Sequence, residues 1–255
     1  MPAALVLEAT IILLLFARIG SMLMLMPMLG DDAVPRPVRM LIAMGLTIAL
    51  SGLLRPAILP LVGTADETRL AMLLLAETLT GLALGMLARM FFQAAVMAGA
   101  IVSLQAGLTT AIIFDPAMGG QVPMIGKLVG LAAAIFCFAL GLHEWWFAGL
   151  VHSYTSFPPG VPLAAGDWAA MAVATAGKAT ALAVSLAAPF LVFGMLFNVA
   201  LGFAARLAPQ IQIFFIAQPL MIAGGIALLA VTVTAMLTGF ADAYREWLGG
   251  GWMRG

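Results

Sequence analysis

Six apolar stretches divide this sequence, and few folds can accept them. They cover residues 3–29, 38–54, 70–104, 124–151, 168–203 and 213–240, with Pro, Gly and charge marking the links. About 20 apolar residues span a bilayer core, so most of the stretches can cross one. A chain in lipid must pair its own backbone donors and acceptors, which leaves helices or a closed barrel. A barrel needs repeated segments of about ten residues with alternating polarity. These segments are longer and apolar all round, so the expected class is all-α: an integral membrane protein of long, kinked helices. Charge agrees. Only 9% of the 255 residues are charged and 64% are hydrophobic, whereas about 25% of a typical soluble domain is charged. A soluble fold of this size would leave large apolar patches exposed.

Two stretches exceed a simple crossing. At 1.5 Å per residue, residues 70–104 make a helix of about 50 Å, which has to bend, for instance near Gly99, or project beyond the bilayer. Residues 168–203 have the same excess. Pro189 and Pro219 are the expected kink sites. None of the links holds a soluble domain, and the even spread of apolar segments points to a single membrane-embedded unit over 1–255. The first stretch lacks a basic lead and a small-residue cleavage pattern, so it reads as a retained membrane helix. Lys and Arg flank the two sides evenly, and no orientation follows. A net charge of zero leaves no basic footprint for nucleic acid. The single cysteine, Cys137, reads as a small buried hydrophobe.

Five ionisable residues interrupt apolar segments: Arg18, Glu77, Arg89, Lys127 and Lys178. Each would cost about 2.5–3.5 kcal/mol at the centre of a lipid-facing helix, so each should face protein, water or the interface. Arg18, Lys127 and Lys178 lie near segment ends, where snorkelling to the interface is the alternative. Glu77 and Arg89 are more than three turns apart and are not expected to pair. The methionines at 22, 24, 26 and 28 could suggest a soft-metal site. Residues two apart on a helix do not converge, however, and no His or second Cys joins them, so packing is the better reading. Gly81/Gly85 and Gly126/Gly130 fit the small-xxx-small pattern of close helix approach, extended by Ala94 and Ala98.

The link after Gln105 has two features in tension. Gly107, Pro116, Gly119, Gly120 and Pro123 break a helix, yet Ile112, Ile113, Phe114 and Met118 are too apolar for a wet loop. Irregular backbone at membrane depth is tolerated only when buried in protein or lining a cavity. The link is either a constriction that excludes water or a loop packed on its own bundle or lying at the interface. No catalytic motif, metal-ligand set or phosphate loop occurs. His143 and Glu144 sit beside Trp145 and Trp146 in what reads as an interfacial aromatic belt. Neither enzymatic activity nor a cofactor is expected.

Four stretches, in order along the chain, carry a family resemblance. The first comprises Arg18-Ile-Gly-Ser, Pro27-Met-Leu-Gly and Val34-Pro-Arg-Pro-Val-Arg39. The second comprises Gln93-Ala-Ala-Val-Met-Ala-Gly99, Leu104-Gln-Ala-Gly and Phe114-Asp-Pro116. The third is Ser153-Tyr-Thr-Ser-Phe-Pro158, and the fourth runs from Asn198-Val-Ala-Leu-Gly-Phe through Arg206-Leu-Ala-Pro-Gln210. Together they resemble the FliR-type export-gate family, shared by flagellar and virulence-type type III secretion systems, with the flagellar form favoured. Gln212 departs from the family's Asn but keeps an amide. The resemblance implies helices arranged as hairpins in a helical assembly with FliP-like and FliQ-like subunits, beside FlhB-like and FlhA-like components. That assembly lies in the bacterial inner membrane at the flagellar basal body and passes unfolded proteins. The loop holding Ile112, Ile113, Phe114, Asp115, Pro116, Met118, Gly119 and Gly120 resembles the family's pore plug. Polar contacts between helices or subunits are expected of Arg18, Glu77, Arg89, Gln93, Gln105, Lys178, Asn198, Arg206 and Gln210. A virulence-type equivalent and a stand-alone small-molecule permease are the competing readings.

Overall fold

The structure, a computed structural model, describes residues 2–27, 29–30, 34–63, 65–108, 124–161, 164–207 and 213–250. Helices α1 (Pro2–Leu25), α2 (Arg36–Val62), α3 (Glu67–Gln105), α4 (Met124–Ala139), α5 (Leu142–Ser156), α6 (Ala165–Leu207) and α7 (Ile213–Gly250) carry almost all of them. Among the described residues α1, α2, α3, α6 and α7 are long and apolar enough to cross a membrane, and α4 with α5 makes a sixth span if counted as one broken segment. The chain is an all-α, multi-pass membrane protein.

Three boundaries differ from expectation. The second apolar stretch does not stop at 54: α2 runs on through Pro56 and Pro60 to Val62. Each proline removes a backbone bond, but both lie on the exposed face. On the other face Leu54, Ile58 and Val62 stay buried at four-residue spacing, so packing overrides propensity. The fourth stretch breaks at Leu140–Gly141, where Gly141 takes φ +72°, a conformation glycine adopts without steric cost. The sixth continues past 240 to Gly250. The third and fifth stretches are continuous helices of 39 and 43 residues, about 58 and 65 Å long. Pro189 and Pro219 lie inside α6 and α7.

The chain forms two compact units. One comprises Met1–Phe91, Gly141–Ala176 and Arg245–Gly255; the other comprises Phe92–Leu140 and Gly177–Tyr244. In the first, α1 packs along α2, and Ile11, Leu15, Ile19 and Met22 of α1 are buried. Phe91 stacks on Trp247 with ring centroids 4.9 Å apart. In the second, Phe92 meets Phe240 edge-on at 5.3 Å, and Phe240 stacks on Tyr244 at 5.7 Å. Gly99 is a close-packing position on α3. A Cβ there would lie 2.8 Å from the Gly126 Cα, and one at Gly130 would lie 2.7 Å from Val96 Cγ2. The small-residue spacing therefore sets the α3–α4 approach.

Candidate functional site

The most polar place in the first unit's interior follows from helix periodicity. Leu15, Arg18 and Met22 share one face of α1, so burying the apolar pair buries the arginine. Arg18 and Glu77 are each 1% exposed. On α3 the counterpart face carries Leu73, Glu77, Gly81 and Leu84, also buried. Gly81 sets the distance between the helices: a Cβ there would lie 3.0 Å from the Arg18 carbonyl carbon, and nearer still to the Arg18 oxygen and Ser21 Oγ. One turn on, a Cβ at Gly85 would be 2.6 Å from the Met22 oxygen. This approach places Glu77, one turn before Gly81, beside Arg18.

The pair is bidentate. Arg18 Nε donates to Glu77 Oε2 at 2.7 Å and Nη2 donates to Oε1 at 2.9 Å, the fork geometry in which Arg–carboxylate pairs are strongest. Nη1 donates to the carbonyls of Ser153 (3.1 Å) and Phe157 (3.0 Å) at the end of α5, where unpaired carbonyls and the helix dipole favour a cation. The guanidinium carbon lies 4.2 Å from the centroid of the Tyr154 ring, a cation–π contact. The Gly160 backbone N–H also reaches the Glu77 carboxylate. Gly160 takes φ +78°, and a Cβ there would lie 2.8 Å from Leu73 Cδ2. One cation thus ties together α1, α3, α5 and the turn after α5. Closed to solvent and held by four hydrogen bonds, it clamps helices.

Arg18 therefore does not snorkel, a correction to one reading of the sequence. Its pairing with Glu77 was not foreseen, although a signal existed: Glu77 is the only acid in residues 70–104, and a lone acid needs a cation. The methionine run resolves into Met22 and Met26 buried on one face, with Met24 turned partly outward. Arg89 is half-buried and has polar contacts of its own. Gln105 is half-buried with its carboxamide against Gly194. Gln93, Lys127, Lys178, Asn198 and Arg206 are exposed. Gln210 and the loop residues Ile112 to Gly120 lie outside the described residues. Gln218, which no sequence pattern marked, donates to the Gly107 carbonyl at 3.3 Å.

Five long apolar helices, with a sixth span if α4 and α5 count as one, define a multi-pass helical membrane protein among the described residues. Residues 9–247 match the family described as bacterial export proteins, family 1, and the chain belongs to that family. It is 35% identical over 235 residues to the flagellar biosynthetic protein FliR of Caulobacter vibrioides, covering 92% of this chain and 93% of that one. It is 31% identical to the FliR of Escherichia coli K12, over 84% and 80% of the two chains. With Yop proteins translocation protein T of Yersinia pestis it shares 27% identity, over 68% of this chain and 67% of that protein. Two of the four resembling stretches, Arg18-Ile-Gly-Ser and Ser153-Tyr-Thr-Ser-Phe-Pro158, meet at the clamp.

Proposed function

We propose that this chain is a single pore-forming subunit of the flagellar type III protein export apparatus, with no chemistry of its own. It helps build the channel through which unfolded flagellar proteins cross the bacterial inner membrane. The observation that carries the reading is α6. This helix is about 65 Å long, twice a bilayer core. It leaves Val173 and Val184 exposed on either side of the exposed Lys178, and Val192, Met195, Leu196 and Phe203 exposed near the exposed Asn198 and Arg206. Polar groups amid so much apolar surface call for protein neighbours, because unpaired ones are costly in lipid. Those neighbours are FliP-like and FliQ-like subunits, with FlhB-like and FlhA-like components beside them. The FliR proteins of Caulobacter vibrioides and Escherichia coli match at higher identity and coverage than the Yersinia translocation protein, which favours the flagellar over the virulence role.

The apolar, helix-breaking loop with Ile112, Ile113, Phe114, Asp115, Pro116, Met118, Gly119 and Gly120 is the barrier that keeps the channel tight to small ions. Two measurements test the reading. Expressed with its partners, the chain is expected in one large stoichiometric complex; recovery as a stable lone monomer that moves a small solute would remove the export reading. Shortening residues 111–120 is expected to make that complex leak small ions, and unchanged conductance would remove the plug.

A further inference from the structure

A groove in the first unit is apolar along its length and charged at one end. It encloses about 400 Å³, inside the roughly 300–1,000 Å³ of small-ligand sites. Leu61 of α2 forms one wall. The first turns of α3 form the other, with Met72, Ala76 and Leu79 on one stripe. The turn after α5 supplies the floor. Gly160 takes φ +78°, and a Cβ there would lie 2.8 Å from Leu73 Cδ2 and 3.7 Å from Leu61 Cδ1. Any side chain at this position would crowd the two leucines that face it. Met72 and Leu79 are 66% and 56% exposed, so the groove opens outward. Glu77 of the clamp lies on the adjoining, buried face of the same helix.

Among the described residues that line the groove, only Arg69 is charged. It is exposed and stands in the first turn of α3. Among the described residues no carboxylate lies within ion-pair distance of its guanidinium. Asp66 is engaged elsewhere: its Oδ1 accepts the Arg69 backbone N–H at 2.9 Å, the bond of a helix cap. Ten residues separate Arg69 from Leu79, about 15 Å along a helix. That is half of a hydrocarbon core about 30 Å thick, the depth of one leaflet.

We infer that this groove holds a membrane phospholipid, with its phosphate on the Arg69 guanidinium and one acyl chain laid along Leu61, Met72, Ala76 and Leu79. An apolar trough of one leaflet's depth, with a cation at its end, has the outline of such a molecule. Guanidinium groups meet phosphate oxygens through paired N–H donors, and basic pockets between membrane helices take lipid head groups. A neighbouring helix fits less well. It would run through both leaflets and would have to bring a carboxylate of its own to Arg69. The lipid fills a gap that α2 and α3 leave open between them.

The test uses the chain purified in detergent from cells that also make its partner subunits, then freed of lipid. It is titrated with phosphatidylglycerol and, separately, with diacylglycerol of the same acyl chains, and native mass spectrometry counts the bound molecules. Wild type is expected to hold phosphatidylglycerol several-fold more tightly than diacylglycerol. Arg69→Gln should erase most of that preference, and Ala76→Phe, which fills the trough, should weaken both ligands several-fold. Arg36→Gln, which removes an exposed cation at the opposite end of α2, should change neither. Arg69 is exposed, so Arg69→Gln reports even if Ala76→Phe does not assemble. Equal binding of the two ligands by wild type, or like behaviour of Arg69→Gln and Arg36→Gln, overturns the inference. Loss of partner subunits from Arg69→Gln with lipid binding intact also overturns it, making the groove a seat for protein. None of these outcomes bears on what the assembled channel passes, so the export reading stands or falls separately.

Discussion

Among the described residues two ion pairs involve α1, and they differ in what surrounds them. Arg18 and Glu77 are 1% exposed, joined by two hydrogen bonds, with two carbonyls and an aromatic face taking up the rest of the guanidinium. Arg55 of α2 and Glu8 of α1 meet through one guanidinium nitrogen and one carboxylate oxygen, at 48% and 47% exposure. The chemistry is the same and the consequences are opposite. A half-exposed pair can lose either member and have the other taken up by water or lipid headgroups. A closed pair cannot, so its cost falls on whichever partner is left behind. Burial thus makes the inner pair a determinant of helix arrangement, and exposure leaves the outer pair an accessory.

The sharpest way to break this contrast is Glu77→Ala. It leaves a buried guanidinium without its counter-charge, and removing one member of a buried pair costs about 3–5 kcal/mol. The expected outcome is a large loss of assembled complex and of thermal stability in detergent. The double replacement Arg18→Met with Glu77→Leu is expected to recover much of it, since apolar residues of similar size need no partner there. Wild-type stability in Glu77→Ala alone would show that the clamp does not hold the helices.

Next in size is Gly81→Ala. Its methyl would meet the Arg18 carbonyl and Ser21 Oγ, main-chain and short side-chain atoms with little room to give. Overpacking of this kind costs about 1–3 kcal/mol. Because the displaced element carries Arg18, the effect should be less than additive with Glu77→Ala, as expected for groups sharing one contact. Full additivity in thermal melts of the single and double variants would separate the glycine from the clamp.

The glycine and the ion pair also show which features can be read from one sequence. Apolar spans are legible because lipid acts on each segment alone, and the Gly81/Gly85 spacing is legible as a face for close packing. The partner is not, since only the tertiary arrangement puts Arg18 against that face. The same limit hid the pairing with Glu77, 59 positions away. Pro56 and Pro60 misled in the other direction. A local rule ends the helix there, whereas buried Leu54, Ile58 and Val62 carry it through. Gly141 breaks a run that hydropathy sees as continuous, because a left-handed residue has no signature in apolarity. The close approach of Gly225 to Ala106 and of Gly194 to Gln105 was beyond reach for a related reason: these look like any two of 27 glycines until α6 and α7 are packed.

The smallest effect expected is at the outer pair, and it bears most directly on why the inner one matters. Glu8→Ala, Arg55→Ala and the double variant form a cycle whose coupling should be about 0–1 kcal/mol, the range of exposed pairs. It should shrink further as salt rises, since screening acts on exposed charges within about 10 Å at 0.1 M. Glu8 stands ten residues before Arg18 on α1, about 15 Å along the helix, so one helix carries both tests. A salt-insensitive coupling near that of the inner pair would mean that the start of α1 is as dry as its middle. Burial by a neighbouring subunit would then have to supply what the chain by itself leaves open. A weak, salt-sensitive coupling leaves the difference between the two pairs to burial and to the bidentate, multiply bonded geometry of the inner one.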